Sequence, residues 1–376
     1  MKILMIHDPY LPIKAGSVAG EDNLAELQIK ALRELGHDVF DSRSIDTGFN
    51  RKKNQLAAQV IGTSVDVIKN ITKFKPDLIH TLNLNQRSGY EWMHKTSIPI
   101  VSSIHNFRLF CPASIAWRDG KICVTCLDSS AINAVKYRCA GKIGTLNSMR
   151  HLVFQRDYPQ VNIPKRFLLA SEKMRDIFLQ LIPESKLRVL PTPSLTGDVK
   201  LNSKIKRQGW LFSGRLTPEK GIIELINNWP DNENLHIAGN GPLKEDILIL
   251  IKDKPNINLI GTYLPGDHSI FFNYEGLIFP STWLEGSPLV VMECLGTGTP
   301  VICTDFSSAS EQVNAVNGGF VIKGNLSKLK ILEAIQKIRT NFDFLSNNAF
   351  SMSKNLFSIK SWSIKLEEYL VDVIKS

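Results

Sequence analysis

Short apolar runs alternate with helical periodicity in two successive series, and this alternation limits the fold more than any other feature of the chain. The first series opens with Lys2 to His7, passes a loop with two Pro and two Gly, and turns helical from Glu21. Leu24, Leu27, Ala31 and Leu35 then share a face, and Gly36 is the stop signal. His37 to Phe40, Asp77 to His80, Ile98 to Val101 and Leu187 to Leu190 read as further short strands. The second series runs through Trp210 to Ser213, Leu235 to Ala238, Leu259-Ile260, Leu277 to Phe279 and Pro300 to Ile302. Strands interleaved with helices predict parallel sheets covered on both faces. The expected fold class is therefore α/β, with two Rossmann-like doubly wound parallel-sheet domains facing across a cleft. Ligands of such sheets bind beyond the carboxyl ends of the strands.

A length of 376 residues with 43% hydrophobic content is ample for two cores. Residues 1–190 are read as the first domain and 207–355 as the second. The segment 191–206, Pro-rich and then rich in Ser, Lys and Asn, is read as the connection, and 356–376 as a terminal helix whose apolar residues pack. The apolar run at the start breaks too early for the core of a signal peptide. No later run approaches the roughly 20 apolar residues that span a bilayer. A cytoplasmic location is expected, and with it free thiols rather than structural disulfides for the six cysteines.

The formal charge of +9 is unevenly spread. Residues 1–190 hold 27 Lys and Arg against 17 Asp and Glu, whereas residues 191–376 hold 18 against 19. A basic half fits an acidic partner such as a phospholipid surface, a lipid-linked phosphate or nucleic acid; it also fits an ordinary solvated face. The basic stretches 51–75 and 136–156, with Met149, Leu152, Val153 and Phe154, suit either the inner face of a membrane or packing on the sheet.

Three motifs follow strands of the second series. Phe212 to Gly221 is a strand end, a glycine turn at Gly214 and a helix start, with Arg215 and Lys220 placed to meet a phosphate or to be two solvated cations. Ile237 to Pro242 repeats the turn, its Gly239, Asn240 and Gly241 allowing either close approach of a flat ligand or a tight bend. Phe279 to Ile302 holds Glu285 and Gly286 in a loop and begins a helix near Ser287, Pro288 and Leu289. Free amides at such a helix start suit an anion. Glu293, placed about two turns into that helix, is expected on the same edge as Glu285, where carboxylates accept hydrogen bonds from paired hydroxyls. A structural cap or salt bridge is the alternative for Glu293.

Glu285-x7-Glu293 with Pro280-Ser281 before it and Gly298 to Ile302 after it, together with Gly214-Arg215-Leu216-x3-Lys220-Gly221 and Gly239-x-Gly241-Pro242, resembles the family 4 retaining glycosyltransferases of GT-B fold. The resemblance implies that Arg215 and Lys220 bind the diphosphate of a nucleoside diphosphate sugar. It implies that Glu293 holds the ribose, Glu285 the sugar hydroxyls, and that the Ser287 to Leu289 amides line the site. Ala19-Gly20-Glu21-Asp22 resembles the Gly-Gly-Glu-Asp start of one bacterial branch, with Ala19 in place of the first glycine and Gly16 as a candidate to share the role of Gly20. Ser103 to Arg108, with Cys111-Pro112, also matches that branch, which implies that His105 contacts the transferred sugar.

Cys111, Cys123, Cys126 and Cys139 form Cys-x11-Cys-x2-Cys-x12-Cys, a spacing found in structural zinc sites; free packing thiols are the alternative. Cys294 and Cys303 read as core residues. No catalytic metal or other cofactor is expected to be required. The resemblance implies transfer of a glycosyl group to a hydroxyl of a glycan or lipid-linked acceptor, in cell-surface polysaccharide or lipopolysaccharide synthesis, by residues 1–190 holding the acceptor and 207–355 the donor. Its rivals are a GT-B epimerase or phosphorylase, for which no motif is present, and a silent sugar- or nucleic-acid-binding homologue.

Overall fold

The computed structural model describes residues 1–7, 20–43, 65–84, 90–111, 113–127, 132–139, 159–194, 196, 199–201, 206–263 and 266–375. Gly16, Ala19, Arg51 to Lys53 and Met149 to Phe154 lie outside the described residues. The chain divides into two compact units. The first is Met1–Arg118, Cys123–Leu190 and Ser363–Ser376; the second is Asp119–Ile122 and Pro191–Trp362.

In the first unit the strands are β1 (Lys2–His7), β2 (Asp38–Arg43), β3 (Leu78–Leu82), β4 (Ile100–Ile104), β5 (Trp117–Arg118), β7 (Arg166–Leu169) and β8 (Leu187–Val189), while β6 (Lys121–Ile122) falls in the short piece assigned to the second unit. Six of them form a parallel sheet in the order β2-β1-β3-β4-β7-β8. Every residue of β3 and β4 is buried, as parallel strands covered on both faces require.

Both strands run further than their apolar stretches suggested. Thr81 and Ser102 meet at 2.8 Å between hydroxyls, and His80 Nε2 meets Ser103 Oγ at 2.8 Å. These buried polar groups satisfy one another inside the sheet, so they do not end the strands. β7 escaped sequence reading because Arg166 opens it; its guanidinium is buried against Asp372 of the last helix at 2.5 Å. Helix Gly20–Glu34 stops as expected before Gly36, whose φ is +86°. Its buried face is Leu24, Ala25, Gln28, Ile29, Ala31 and Leu32, while Leu27 and Leu35 are only half-buried.

The second unit holds β9 (Trp210–Ser213), β10 (Leu235–Ala238), β11 (Ile257–Gly261), β12 (Gly276–Phe279), β13 (Val301–Thr304) and β14 (Gly319–Ile322). They form a parallel sheet in the order β11-β10-β9-β12-β13-β14. Alternate residues feed two cores. Trp210 and Phe212 join Leu225, Ile226 and Trp229, while Leu211 joins Leu277, Met292 and Leu295 on the opposite face.

Two segments lie at the ends of the second unit. Thr192, Ser194 and Thr196, in the stretch read as a connection, are buried in it. Ser194 N donates to Phe357 O at 2.7 Å, and a Cβ on Gly296 would meet Thr196 Oγ1 at 2.5 Å. Helix Ile359–Lys375 begins in the second unit and continues in the first. Along it Trp362, Leu366, Leu370 and Val373 are buried, and Glu367 pairs with His37 at 2.9 Å.

Candidate functional site

The strand order of the second sheet reverses between β9 and β12, and at such a point two loops diverge from neighbouring strand ends and leave a crevice. Gly214 to Gly221 leaves β9, and Pro280 to Ser287 leaves β12. Hydrogen bonds fasten one loop to the other. Glu219 O accepts from Thr282 N at 3.0 Å, from Thr282 Oγ1 at 3.2 Å and from Ser281 Oγ at 3.3 Å. Thr304 Oγ1 of β13 donates to Ser281 O at 2.7 Å. Gly221 closes the contact: its φ is +70°, and a Cβ there would lie 2.2 Å from Pro280 O.

This fastening brings Lys220 to Glu285. Lys220 Nζ donates to Glu285 Oε1 at 2.7 Å, with the side chains 13% and 9% exposed. The ammonium also lies over the rings of Trp283, at 5.3 Å, and Phe279, at 5.8 Å. Arg215 does not join Lys220 in this pair. Its guanidinium is 64% exposed and stands 3.6 Å from the buried Glu219. The two cations expected to act together thus differ in surroundings, one enclosed and neutralised, the other at the surface.

Gly239 and Gly241 are filled by chain. A Cβ on Gly239 would stand 2.0 Å from Gly214 O, and one on Gly241 would stand 2.5 Å from Leu216 O. Gly214 N donates to Ala238 O and Leu216 N to Asn240 O, each at 3.0 Å. These glycines let two loops touch, while the Asn240 side chain is exposed and accepts from Gly241 N at 2.9 Å.

Helix Leu289–Gly296 starts after Pro288 with no side-chain cap. The amides of Leu289 and Val290 have no acceptor among the described residues. Ser287 is held on several sides. Its hydroxyl accepts from Gln312 Nε2 at 2.7 Å and from Thr192 N at 3.2 Å, and meets Thr192 Oγ1 at 2.6 Å. Glu293 lies little more than one turn into the helix, nearer its start than the sequence reading placed it. Its carboxylate accepts no hydrogen bond from the described residues, and burial pushes its pKa up to about 7. Tyr263, bonded to Ser213 Oγ at 3.0 Å, has its phenol pushed up to about 12, first by burial; the nearby Glu293 charge acts in the same direction.

In the first unit, His105 follows β4. Both its ring nitrogens are buried with no partner among the described residues, and burial lowers its pKa to about 4. Gly20 begins its helix, and its surroundings are outside the described residues. None of the four clustered cysteines is in a disulfide. Burial, and then the neighbouring Cys111, Cys123 and Cys139, push the Cys126 thiol up to about 11. Among the described residues no group of three His, Cys, Asp or Glu side chains is placed to hold a metal ion. Nor is any described helix long and apolar enough to cross a membrane. Sequence reasoning missed Trp283, Tyr263, Glu219 and Asn83. Trp283 and Glu219 lie inside the motifs, whereas Tyr263, which follows β11 and reaches Ser213 only in space, and Asn83 carry no local signal.

Two parallel doubly wound sheets, one bearing an anion-ready loop cluster, define the class of molecule. Residues 198–349 match the family model described as glycosyl transferases group 1. The chain is 33% identical over 107 residues to the putative teichuronic acid biosynthesis glycosyltransferase TuaC of Bacillus subtilis; the match covers 27% of this chain and 25% of that one. The chain thus spans about a quarter of the length of this curated relative. The sucrose-phosphate synthase of Thermosynechococcus elongatus superposes with a TM-score of 0.69 at 14% identity, covering 100% of this chain and 99% of that one. Anabaena HepE in complex with UDP superposes with a TM-score of 0.67 at 15% identity, covering 99% and 100%. The fold is that of the GT-B glycosyltransferases.

Proposed function

We propose that this protein is a family 4 retaining glycosyltransferase that moves a glycosyl group from a nucleoside diphosphate sugar to a hydroxyl of a glycan or lipid-linked acceptor in cell-surface polysaccharide synthesis. The observation that carries the reading is the enclosed Lys220–Glu285 pair beside an uncapped helix start at the reversal point of the second sheet. The match of residues 198–349 to the group 1 family model, the teichuronic acid relative and the UDP complex of a protein of like fold support it.

On this reading the diphosphate lies against the Leu289 and Val290 amides, with Lys220 and Arg215 offsetting the charge that grows as the glycosidic bond breaks. The acceptor oxygen bonds to the anomeric carbon, the bond to the leaving phosphate oxygen breaks, and that phosphate takes the acceptor proton on the same face. No protein nucleophile and no metal is required. Glu293, unpartnered and half-buried, takes the two ribose hydroxyls; Glu285 and His105 take hydroxyls of the sugar. The basic first half would hold the acceptor and rest on the inner face of the cytoplasmic membrane.

Thermal stabilisation of the full-length protein by a panel of nucleoside diphosphate sugars tests the reading. One donor is expected to raise Tm well above the free diphosphates and to be hydrolysed slowly. No shift with any member of the panel would overturn the assignment.

A further inference from the structure

The stretch from Thr192 to Thr196 follows helix Leu289–Gly296 and meets it at three levels. Thr192 bonds to Ser287 just before the helix, Ser194 Oγ donates to Met292 O at 3.4 Å, and Thr196 stands against Gly296. Pro191 and Pro193 flank Thr192. Proline fixes its own φ and holds the residue before it in extended backbone, so Thr192 is presented on a stiff arm. Thr192 is 4% exposed, as is Gln312, which reaches Ser287 from helix Ala309–Ala315.

This bonding leaves the Ser287 hydroxyl with nothing to offer a ligand. A serine hydroxyl has one proton and two lone pairs. Its oxygen accepts from Gln312 Nε2 at 2.7 Å and from Thr192 N at 3.2 Å, which fills both lone pairs. Its proton then goes to Thr192 Oγ1 at 2.6 Å, and the Thr192 hydroxyl donates in turn to Ser287 O at 3.3 Å. Turning the Gln312 carboxamide round reverses the bond between the two hydroxyls and leaves the count at Ser287 unchanged.

Stability alone does not account for the glutamine. Gln312 Oε1 and, four residues earlier, Ser308 Oγ are buried with no partner among the described residues. An unmet buried polar atom costs on the order of 1–3 kcal/mol. An apolar side chain of the same length would fill the space without that cost. What the carboxamide supplies is the bond to Ser287.

We propose that Thr192 and Gln312 are positioning residues: through the saturated Ser287 hydroxyl they fix the start of helix Leu289–Gly296, so that its unbonded Leu289 and Val290 amides stand ready for the diphosphate of the donor. The inference rests on the proposed function for the identity of that anion. Donors held in place beforehand need no reorganisation as charge develops, which is their advantage over water. Ser287 contributes its place in the chain, and its hydroxyl serves as the anchor.

The test is calorimetric titration of the full-length protein with inorganic pyrophosphate, beside thermal melts, in wild type, Thr192→Val, Thr192→Ser and Gln312→Met. Valine keeps the shape of threonine and loses the hydroxyl, serine keeps the hydroxyl, and methionine keeps the length of glutamine without its donor. Thr192→Val and Gln312→Met are each expected to weaken pyrophosphate binding roughly 3- to 10-fold, the worth of one hydrogen bond. Thr192→Ser is expected to bind as wild type does, and Gln312→Met to melt no lower than wild type. Unchanged affinity in both variants, a loss that serine does not restore, a Gln312→Met loss that comes only with a lower Tm, or no binding of pyrophosphate by wild type would each overturn the proposal. Expected losses for pyrophosphate in a protein that binds no nucleoside diphosphate sugar would end the transferase reading and leave the positioning intact. A productive donor panel with unaffected variants would do the reverse.

Discussion

Lys220 Nζ and Glu285 Oε1 lie 2.7 Å apart, almost wholly enclosed, although 65 residues separate them in the chain. Each is the other's counter-ion beneath the rings of Trp283 and Phe279. Removing one charge strands the other, which costs about 3–5 kcal/mol for a buried pair, whereas replacing both with apolar groups of like size costs far less. Lys220→Met and Glu285→Leu are each expected to lower stability by roughly 3 kcal/mol. The double variant should be more stable than either single one, and all three should lose transferase activity. Denaturant unfolding of the four proteins reads the cycle; additive losses would show that the pair is not coupled.

Glu293 is ionised only above a pKa of about 7, because burial disfavours its charge. On the proposed reading, ribose hydroxyls bind the ionised form. Affinity for the nucleotide sugar should therefore rise with pH and be roughly tenfold weaker at pH 6 than at pH 8. Stability runs the other way. The folded pKa exceeds the unfolded one, so this carboxyl stabilises the fold at low pH, and its contribution is lost as pH climbs from 4.5 through about 7. Glu293→Gln should weaken donor binding and flatten both dependences, as calorimetry and melts across pH would show.

His80 and His105 give the opposite sign. Their pKa values fall from 6.5 to about 3 and about 4, chiefly through burial. The unfolded chain binds protons that the folded one refuses, so stability present above pH 6.5 is lost as pH falls toward 4. For His105 the loss reaches up to about 3 kcal/mol. His105→Gln should reduce the acid sensitivity of Tm between pH 6.5 and pH 4; an unchanged slope would contradict the burial.

Gly221→Ala should cost more than Gly36→Ala, although both residues have positive φ. Alanine at Gly36 meets nothing within 4 Å and costs only the backbone strain, about 1–2 kcal/mol. Alanine at Gly221 also drives a Cβ to 2.2 Å from Pro280 O. That would part the two loops and move Lys220 away from Glu285, so donor affinity should fall along with Tm. Equal melting temperatures for the two variants would contradict the contact.

The four clustered cysteines are expected to react as free thiols, Cys126 most slowly because burial and its neighbours disfavour its thiolate. Thiol titration at pH 8 and metal analysis of the purified protein read this together. One tightly held zinc per chain, with protected thiols, would instead establish the structural site that the spacing allows.

Apart from β7, β14 and the two-residue strands β5 and β6, the alternation of strands and helices, the two sheets and the glycine-rich turns were legible in the sequence, because period, turn chemistry and motif spacing are local properties. The motifs that hold Arg215, Lys220, Glu285 and Glu293 fall at strand ends and a helix start, as their local spacing implied. What was not legible lies across strands. Polar Thr81, Ser102 and Ser103 hid the length of β3 and β4, since their bonds are to one another and not to neighbours in the chain. The closing of Lys220 on Glu285, the filling of Gly239 by Gly214 and the hold of Asn83 on His105 all depend on which strand lies beside which. That adjacency is set by long-range pairing, with β9 next to β12 and β3 next to β4, and no local stretch of sequence encodes it.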